Sequence, residues 1–208
     1  MSGNKNIKSL SKRKVELKAI SEWVAAGERV LDLGCGRGIL LDELSRQKKI
    51  YGVGVDSDFE KIARAIKRGV NVYHGDILDM LSAFGDDSFD WIVCSRTLPE
   101  LENAREVVME ALRVGRRVAV GFVNHAYWRN RLSYALRGER VLNEVFASKW
   151  DDSRPMNPIC VNSFKEFCQN NDIRILRTHF LRGDWETPCR FAPNLLAGYA
   201  IFEISREK

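Results

Sequence analysis

The stretch Arg29-Val-Leu-Asp-Leu-Gly-Cys-Gly-Arg-Gly-Ile39 decides the fold, because it joins the end of a strand to the start of a helix through a glycine loop. A short apolar run, interrupted by Asp32, precedes glycines at every second position. These glycines are Gly34, Gly36 and Gly38. Glycine adopts backbone angles closed to other residues and lets a ligand approach the main chain closely. In open α/β sheets, nucleotide-like ligands bind outside the carboxyl ends of the strands, at junctions of this kind.

The spacing of these glycines narrows the kind of ligand. A dinucleotide fingerprint requires Gly-x-Gly-x-x-Gly, but the third position counted from Gly34 and Gly36 falls on Ile39. A phosphate-binding P-loop requires Gly-Lys followed by Ser or Thr, and the sequence has no such tripeptide. The remaining pattern, Asp-x-Gly-x-Gly-x-Gly after a strand, resembles the first motif of S-adenosylmethionine-dependent methyltransferases.

Polar residues follow the next three predicted strands. Asp56 ends the apolar segment 50–55, roughly 20 residues beyond the loop, where a carboxylate can accept both hydroxyl protons of a ribose. Asp76 follows the segment 70–74, and Ser95 follows the segment 89–94. Each carboxylate taken alone has the simpler explanation of capping the next helix. Acidic residues at consecutive strand ends together favour a nucleoside pocket.

The resemblance to methyltransferases implies a role for each of these positions. Asp56 would hold the ribose, Asp76 would face the adenine amino group while its neighbour packs on the ring, and Ser95 would line the methionine end. The implied cofactor is S-adenosylmethionine or its demethylated product, S-adenosylhomocysteine. The residues predicted to bind it are Asp32, Gly34, Gly36, Gly38, Asp56, Ser57, Asp76, Ile77 and Ser95.

Composition restricts the function classes. The 208 residues suffice for one sizeable domain, which we expect to span residues 1–208. Five cysteines without a Cys-x-x-Cys pair favour reduced thiols in a cytoplasmic protein, and they argue against a disulfide framework or a metal site. No apolar run approaches the roughly 20 residues of a membrane span, so we expect no membrane partner.

Strand-like and helix-like segments alternate, which predicts a three-layer α/β sandwich around a mostly parallel, seven-stranded sheet. Two closing strands predict an antiparallel hairpin at the sheet edge. Predicted helices cover residues 16–26, 38–47, 58–68, 102–113 and 163–169, and the later strands cover 117–123, 174–180 and 196–204. A basic segment, 1–15, precedes this pattern. Residues 125–158, rich in aromatic and basic side chains, are interpreted as an excursion over the open end of the sheet.

Beyond the fold, residues from about 14 to 206 resemble the MetW family of methionine-biosynthesis proteins. The resemblance implies a protein that works with a homoserine O-acyltransferase in methionine synthesis. Two departures stand out, since Arg37 replaces a usual acidic residue and Arg96 replaces a usual glutamine. The segments that carry the resemblance are residues 29–38, 68–72, 75–76, 86–90, 95–98, 105–108, 112–117, 124, 128–132 and 193–197.

Three functions remain open from the sequence. As a partner subunit, the chain would use the aromatic and arginine residues that interfaces favour, which are Tyr127, Trp128, Arg129 and Arg131. As a small-molecule methyltransferase of unknown acceptor, it would place Asn124, His125 or Tyr127 near the methyl group, although packing explains these residues equally well. The third function, RNA methylation through the basic N-terminus, is disfavoured because no recognition motif for nucleic acid is present.

Overall fold

The computed structural model describes residues 15–139, 141 and 156–207, and a seven-stranded sheet forms its centre. The strands are β1 (Arg29–Leu33), β2 (Tyr51–Asp56), β3 (Asn71–His74), β4 (Phe89–Ser95), β5 (Gly115–Val123), β6 (Ile173–Leu181) and β7 (Tyr199–Arg206). Their order across the sheet is β3-β2-β1-β4-β5-β7-β6. The pairs among β1 to β5 are parallel, whereas β7 is antiparallel to both β5 and β6. This confirms the mostly parallel sheet with antiparallel closing strands.

Helices connect most of the strands. They are α1 (residues 15–23), α2 (Ile39–Lys48), α3 (Phe59–Ile66), α4 (Ile77–Ser82), α5 (Ala104–Val114), α6 (Trp128–Arg137), α7 (Val161–Asn170) and α8 (Pro193–Leu196), with a 3₁₀ turn at Leu98–Glu100. Among the described residues, no helix has the length and apolar content needed to cross a bilayer.

Apolar side chains on the two faces of the sheet build two separate cores, which gives the three layers. In β4, Trp91 belongs to the core shared with α1 and α2, while the next residue, Ile92, belongs to the core shared with α4, α5 and α7. Successive strand residues point to opposite faces. Strands buried on both faces therefore have the continuous apolar sequences that identified them.

Several predicted boundaries are wrong. The first helix ends at residue 23 rather than 26, and the predicted last strand begins at Tyr199 rather than 196, because Pro193–Leu196 form the helical turn α8. Proline suits the first turn of a helix, where its missing N–H needs no partner. Helix α4 was not predicted, since six residues are too few for a helical period to emerge.

Parts of the two predicted basic regions lie outside the described residues. These are residues 1–14 of the N-terminal segment, and residues 140 and 142–155 of the predicted excursion.

Candidate functional site

The glycine loop after β1 has the backbone that its sequence predicts. Gly34, Gly36 and Gly38 have φ values of 74°, 56° and 69°, in the left-handed region that favours glycine. A side chain on Gly34 would lie 2.2 Å from Thr97 Oγ1, so this position also requires the absence of Cβ. A Cβ on Gly36 would meet only the side chain of Lys61, at 3.9 Å, which leaves this part of the main chain open to a ligand.

Asp56, at the end of β2, fixes the glycine loop. Its Oδ2 accepts a hydrogen bond from Gly36 N at 2.8 Å, and its Oδ1 accepts one from Asp58 N at 2.9 Å. The residue is 8% exposed. A carboxylate can accept about four hydrogen bonds, so each oxygen retains a lone pair. The arrangement can therefore hold the loop and also accept two hydroxyl protons from a ribose.

The end of β3 lies directly beside Asp56, because Gly75 N donates to Asp56 O at 3.2 Å. Asp76 is the N-cap of α4, and its Oδ1 accepts from Leu78 N at 2.7 Å. The capping explanation given by the sequence is thus confirmed for Asp76, which is an exposed residue. Ile77 is buried below it, and Ser57 is exposed beside Asp56.

Three buried thiols have raised pKa values, and two of them, Cys35 and Cys94, lie near the carboxylate of Asp32. Burial, and then the nearby charges of Asp32 and Asp56, raise the pKa of Cys35 to about 12. Burial together with Asp32 raises the pKa of Cys94 to about 12, and burial raises that of Cys168 to about 11. These thiols therefore stay protonated, and they are not nucleophiles at neutral pH.

We expect the native chain to react with a thiol reagent such as Ellman's reagent at one site, Cys160, which is partly exposed. The pKa of about 12 keeps Cys35 almost entirely protonated at pH 8. Thiol reactivity follows the thiolate fraction, so Cys35 should react slowly. Counting modified thiols at pH 8 should give one fast-reacting group per chain, and the variant Cys160→Ser should give none. Fast labelling of Cys35 in the folded protein would contradict this assignment.

Ser95, at the end of β4, contacts a residue that the sequence did not single out. Its hydroxyl donates to Glu16 of α1, which is 1% exposed. Tyr199 OH also donates to Glu16 Oε1 at 2.6 Å, and Arg96 Nε donates to Glu16 Oε2 at 2.6 Å. These four residues, the Glu16 network, close the sheet edge above β4, β5 and β7. The predicted cofactor residue Ser95 thus directs its hydroxyl at Glu16.

Arg96 is held in this network by both its backbone and its side chain. Its φ of 67° is unusual for a residue other than glycine, and its N–H bonds Gly121 O at 2.8 Å. The guanidinium lies 5.1 Å from the ring centre of Trp185 and 5.6 Å from that of Tyr199. Burial opposes the charge of Arg96, but Glu16 and Tyr199 outweigh it and raise the pKa of Arg96 above its ordinary value.

The hydroxyl of Tyr199 donates a hydrogen bond to Glu16 and stays protonated at neutral pH. Burial, and then the charge of Glu16, raise the pKa of Tyr199 well above 10. A signal for Glu16 was available in the sequence. Glu16 and Ile20 are four residues apart, which aligns a carboxylate with the buried apolar side of α1.

Asn124, a candidate for the methyl-transfer region, organises the backbone after β5. Its Nδ2 donates to Ala197 O at 2.8 Å, and its Oδ1 accepts from Ala126 N at 3.2 Å and from Val161 N at 3.3 Å. This fully buried amide joins β5 to the starts of α7 and β7. The packing explanation of Asn124 therefore fits the structure.

The candidate partner-binding residues lie at the start of α6. Tyr127 packs its hydroxyl end against Gly183, Trp128 is exposed, and the Arg129 guanidinium lies 5.4 Å from the ring centre of Trp128. Arg131 is exposed, and its Nε donates to Ala126 O at 2.7 Å. Arg37 points outward from the glycine loop, being exposed.

The family model of "Methionine biosynthesis protein MetW" matches residues 14–204, nearly the whole chain. The chain belongs to the MetW family. The MetW resemblance in the sequence is thereby confirmed, and with it the assignment to a methionine-biosynthesis family.

Among relatives, the chain is 36% identical over 132 residues to the "Bifunctional methionine biosynthesis protein MetXA/MetW" of Rhodopirellula baltica. The aligned segment covers 60% of this chain and 21% of that protein. It is 30% identical over 95 residues to the ubiquinone biosynthesis O-methyltransferase of Hahella chejuensis, covering 43% of this chain and 40% of that one. This MetW-family chain thus matches less than half of the length of either relative.

Solved structures share the methyltransferase fold of this MetW-family chain. A SAM-dependent methyltransferase from Archaeoglobus fulgidus superposes with a TM-score of 0.68 at 15% identity, covering 96% of this chain and 94% of that one. The magnesium protoporphyrin IX methyltransferase of Synechocystis, solved with bound SAH, has a TM-score of 0.69 at 16% identity, covering 95% and 84%. At such identities the likeness establishes the fold.

Proposed function

We propose that this MetW-family protein binds S-adenosylmethionine or S-adenosylhomocysteine at the carboxyl edge of the sheet, and that it acts as a cofactor-sensing partner of a homoserine O-acyltransferase. The observation that carries the proposal is the pairing of Asp56 with Gly36. One carboxylate fixes the loop and keeps two free lone pairs beside an open stretch of main chain.

The residues around Asp56 fit the adenosyl group. Asp56 would bind the ribose hydroxyls next to Ser57, while the exposed Asp76 and the neighbouring Ile77 would face the adenine ring. Asp32 and the glycines Gly34, Gly36 and Gly38 would shape the floor of the site. Bound S-adenosylmethionine carries a methyl group activated as a sulfonium; the chain itself supplies binding and orientation.

The methionine end of the site supports sensing over methyl transfer. Methyl transfer requires an acceptor aligned with the sulfonium. Here Ser95 and Arg96 both donate hydrogen bonds to Glu16 above β4, and Asn124 makes hydrogen bonds to the backbone. Among the residues that the structure describes, the polar side chains named here are thus engaged in hydrogen bonds within the protein, rather than directed at an acceptor. In a methionine pathway, a sensor of the end product S-adenosylmethionine has an evident use.

The partnership draws its support from the Rhodopirellula baltica relative. Its name joins MetXA and MetW in one bifunctional protein. Covalent linkage places two modules at an effective concentration near the millimolar range, which is useful for modules that act together. We also propose a cytoplasmic location, which the five free thiols support.

The test measures homoserine acyltransferase activity with and without this protein across a range of S-adenosylmethionine concentrations. We expect the rate to change severalfold only when the protein is present, with a midpoint at the calorimetric Kd of the cofactor. Rates that are independent of both additions would overturn the regulatory function. Absence of binding heat at millimolar cofactor would overturn the cofactor site, whatever the acyltransferase does.

A further inference from the structure

Helix α6 presents its apolar side chains to solvent. Only Asn130 of this helix is buried, where its Nδ2 donates to His125 O at 3.2 Å. Trp128, Leu132 and Leu136 are 39%, 47% and 74% exposed. A ten-residue helix draws most of its stability from packing an apolar face, yet this one packs an asparagine against the protein.

Three of the exposed apolar residues form one stripe on the outer side of α6, while Tyr134, which is 51% exposed, lies outside this stripe. Trp128, Leu132 and Leu136 are four residues apart, so they follow one face of the helix. At 3.6 residues per turn, Leu132 lies about 160° around the axis from Asn130. The stripe therefore faces away from the body of the protein. We call these three residues the α6 stripe.

Positive charge borders the α6 stripe. Helix α6 contains three arginines and no acidic residue. Arg131 also lines a cleft of about 380 Å³ together with Lys165, Asn194 and Leu195. Apolar and aromatic side chains next to arginines of the same helix have the composition of interface centres. The complementary surface is an apolar groove with an acidic rim.

We infer that the α6 stripe and the adjoining cleft at Arg131 form the docking surface for the acyltransferase. This inference rests on the partnership proposed above. The occupant is chosen because the Rhodopirellula baltica relative combines MetXA and MetW in one protein, and because the arginine rim selects an acidic partner surface. An exposed helix face meeting a groove is a common mode of recognition between proteins.

The test measures the affinity of the full chain for the homoserine O-acyltransferase of the same organism by biolayer interferometry. Leu132→Asp and Leu136→Asp place a carboxylate in the stripe without disturbing buried residues, and each should raise Kd at least tenfold. The matched control is Ile66→Asp on α3, which changes an aliphatic residue that is 60% exposed. Its Kd should stay within twofold of the unmodified chain.

The outcomes separate this inference from the proposed function. If the unmodified chain forms no complex, the partnership itself fails. If it forms a complex and both stripe variants bind like Ile66→Asp, the partnership stands and the docking surface is wrong. If the chain alone dimerises and the stripe variants only make it monomeric, the stripe is a contact between copies and the inference is also overturned. Melting temperatures monitor folding, and Trp128→Ala replaces any stripe variant that fails to fold.

Discussion

Replacing Asp56 by alanine is expected to weaken S-adenosylmethionine binding by at least about 100-fold. In the proposed site this carboxylate would accept two ribose hydroxyls, and charge-assisted hydrogen bonds contribute about 1.5–3 kcal/mol each. Every 1.4 kcal/mol corresponds to a factor of about ten in Kd. The change also removes the acceptor for Gly36 N, so the loop itself loses its anchor. Isothermal titration with S-adenosylmethionine and S-adenosylhomocysteine measures both constants.

The control for this prediction is the neighbouring acid, Asp58. Its Oδ1 caps α3 by accepting from Lys61 N at 3.1 Å. Asparagine caps helices about as well as aspartate, so Asp58→Asn should bind the cofactor within threefold of the unmodified chain. If Asp56→Ala also binds within threefold, the ribose assignment is wrong. Retained melting temperature in both variants ensures that the comparison concerns binding.

Replacing Glu16 by alanine is expected to lower the free energy of unfolding by about 3–5 kcal/mol, the range found when one partner of a buried ion pair is removed. The change leaves Arg96 with an uncompensated charge between two aromatic rings. It also leaves the hydroxyls of Ser95 and Tyr199 without their shared acceptor. Urea denaturation followed by circular dichroism measures the loss.

Two further substitutions serve as comparisons for Glu16→Ala, one at the same position and one on the exposed side of α1. Glu16→Gln keeps the side-chain length and an acceptor oxygen, so its loss should be smaller than that of Glu16→Ala. Glu22→Ala changes an exposed glutamate of the same helix, and surface changes of this kind shift stability by about 0.5 kcal/mol or less. Equal midpoints for the variants at positions 16 and 22 would refute the buried network.

The sequence predicts most of the sheet, for a physical reason. Strands such as β4 are buried on both faces, so their apolar runs are unbroken, and the glycines after β1 mark a turn that other residues avoid. The predicted boundaries were less accurate for short helices, which turn and capping residues define rather than a hydrophobic period. Helix α8 begins at Pro193, but its four residues have no period, and α4 is defined by the cap at Asp76 rather than by a pattern.

The candidate site was partly predictable. Asp56, Asp76 and the glycine loop follow from strand ends, because parallel strands bring their carboxyl ends to one edge. Glu16 was missed because its partners come from distant parts of the chain, and only the folded sheet brings them together. Glu16 lies on the same face of α1 as the apolar Ile20, and this alignment was the sequence signal that its carboxylate is buried and has polar partners.

The hydrogen bond between Tyr199 and Glu16 joins residues that are 183 positions apart. During synthesis on the ribosome, α1 emerges long before β7 does, and the carboxylate of Glu16 lacks this partner throughout that interval. Domains rich in such distant pairings acquire their native contacts late and slowly. The Glu16 network is therefore completed only once β7 has been made, although the apolar residues of α1 can already pack against α2 and β4.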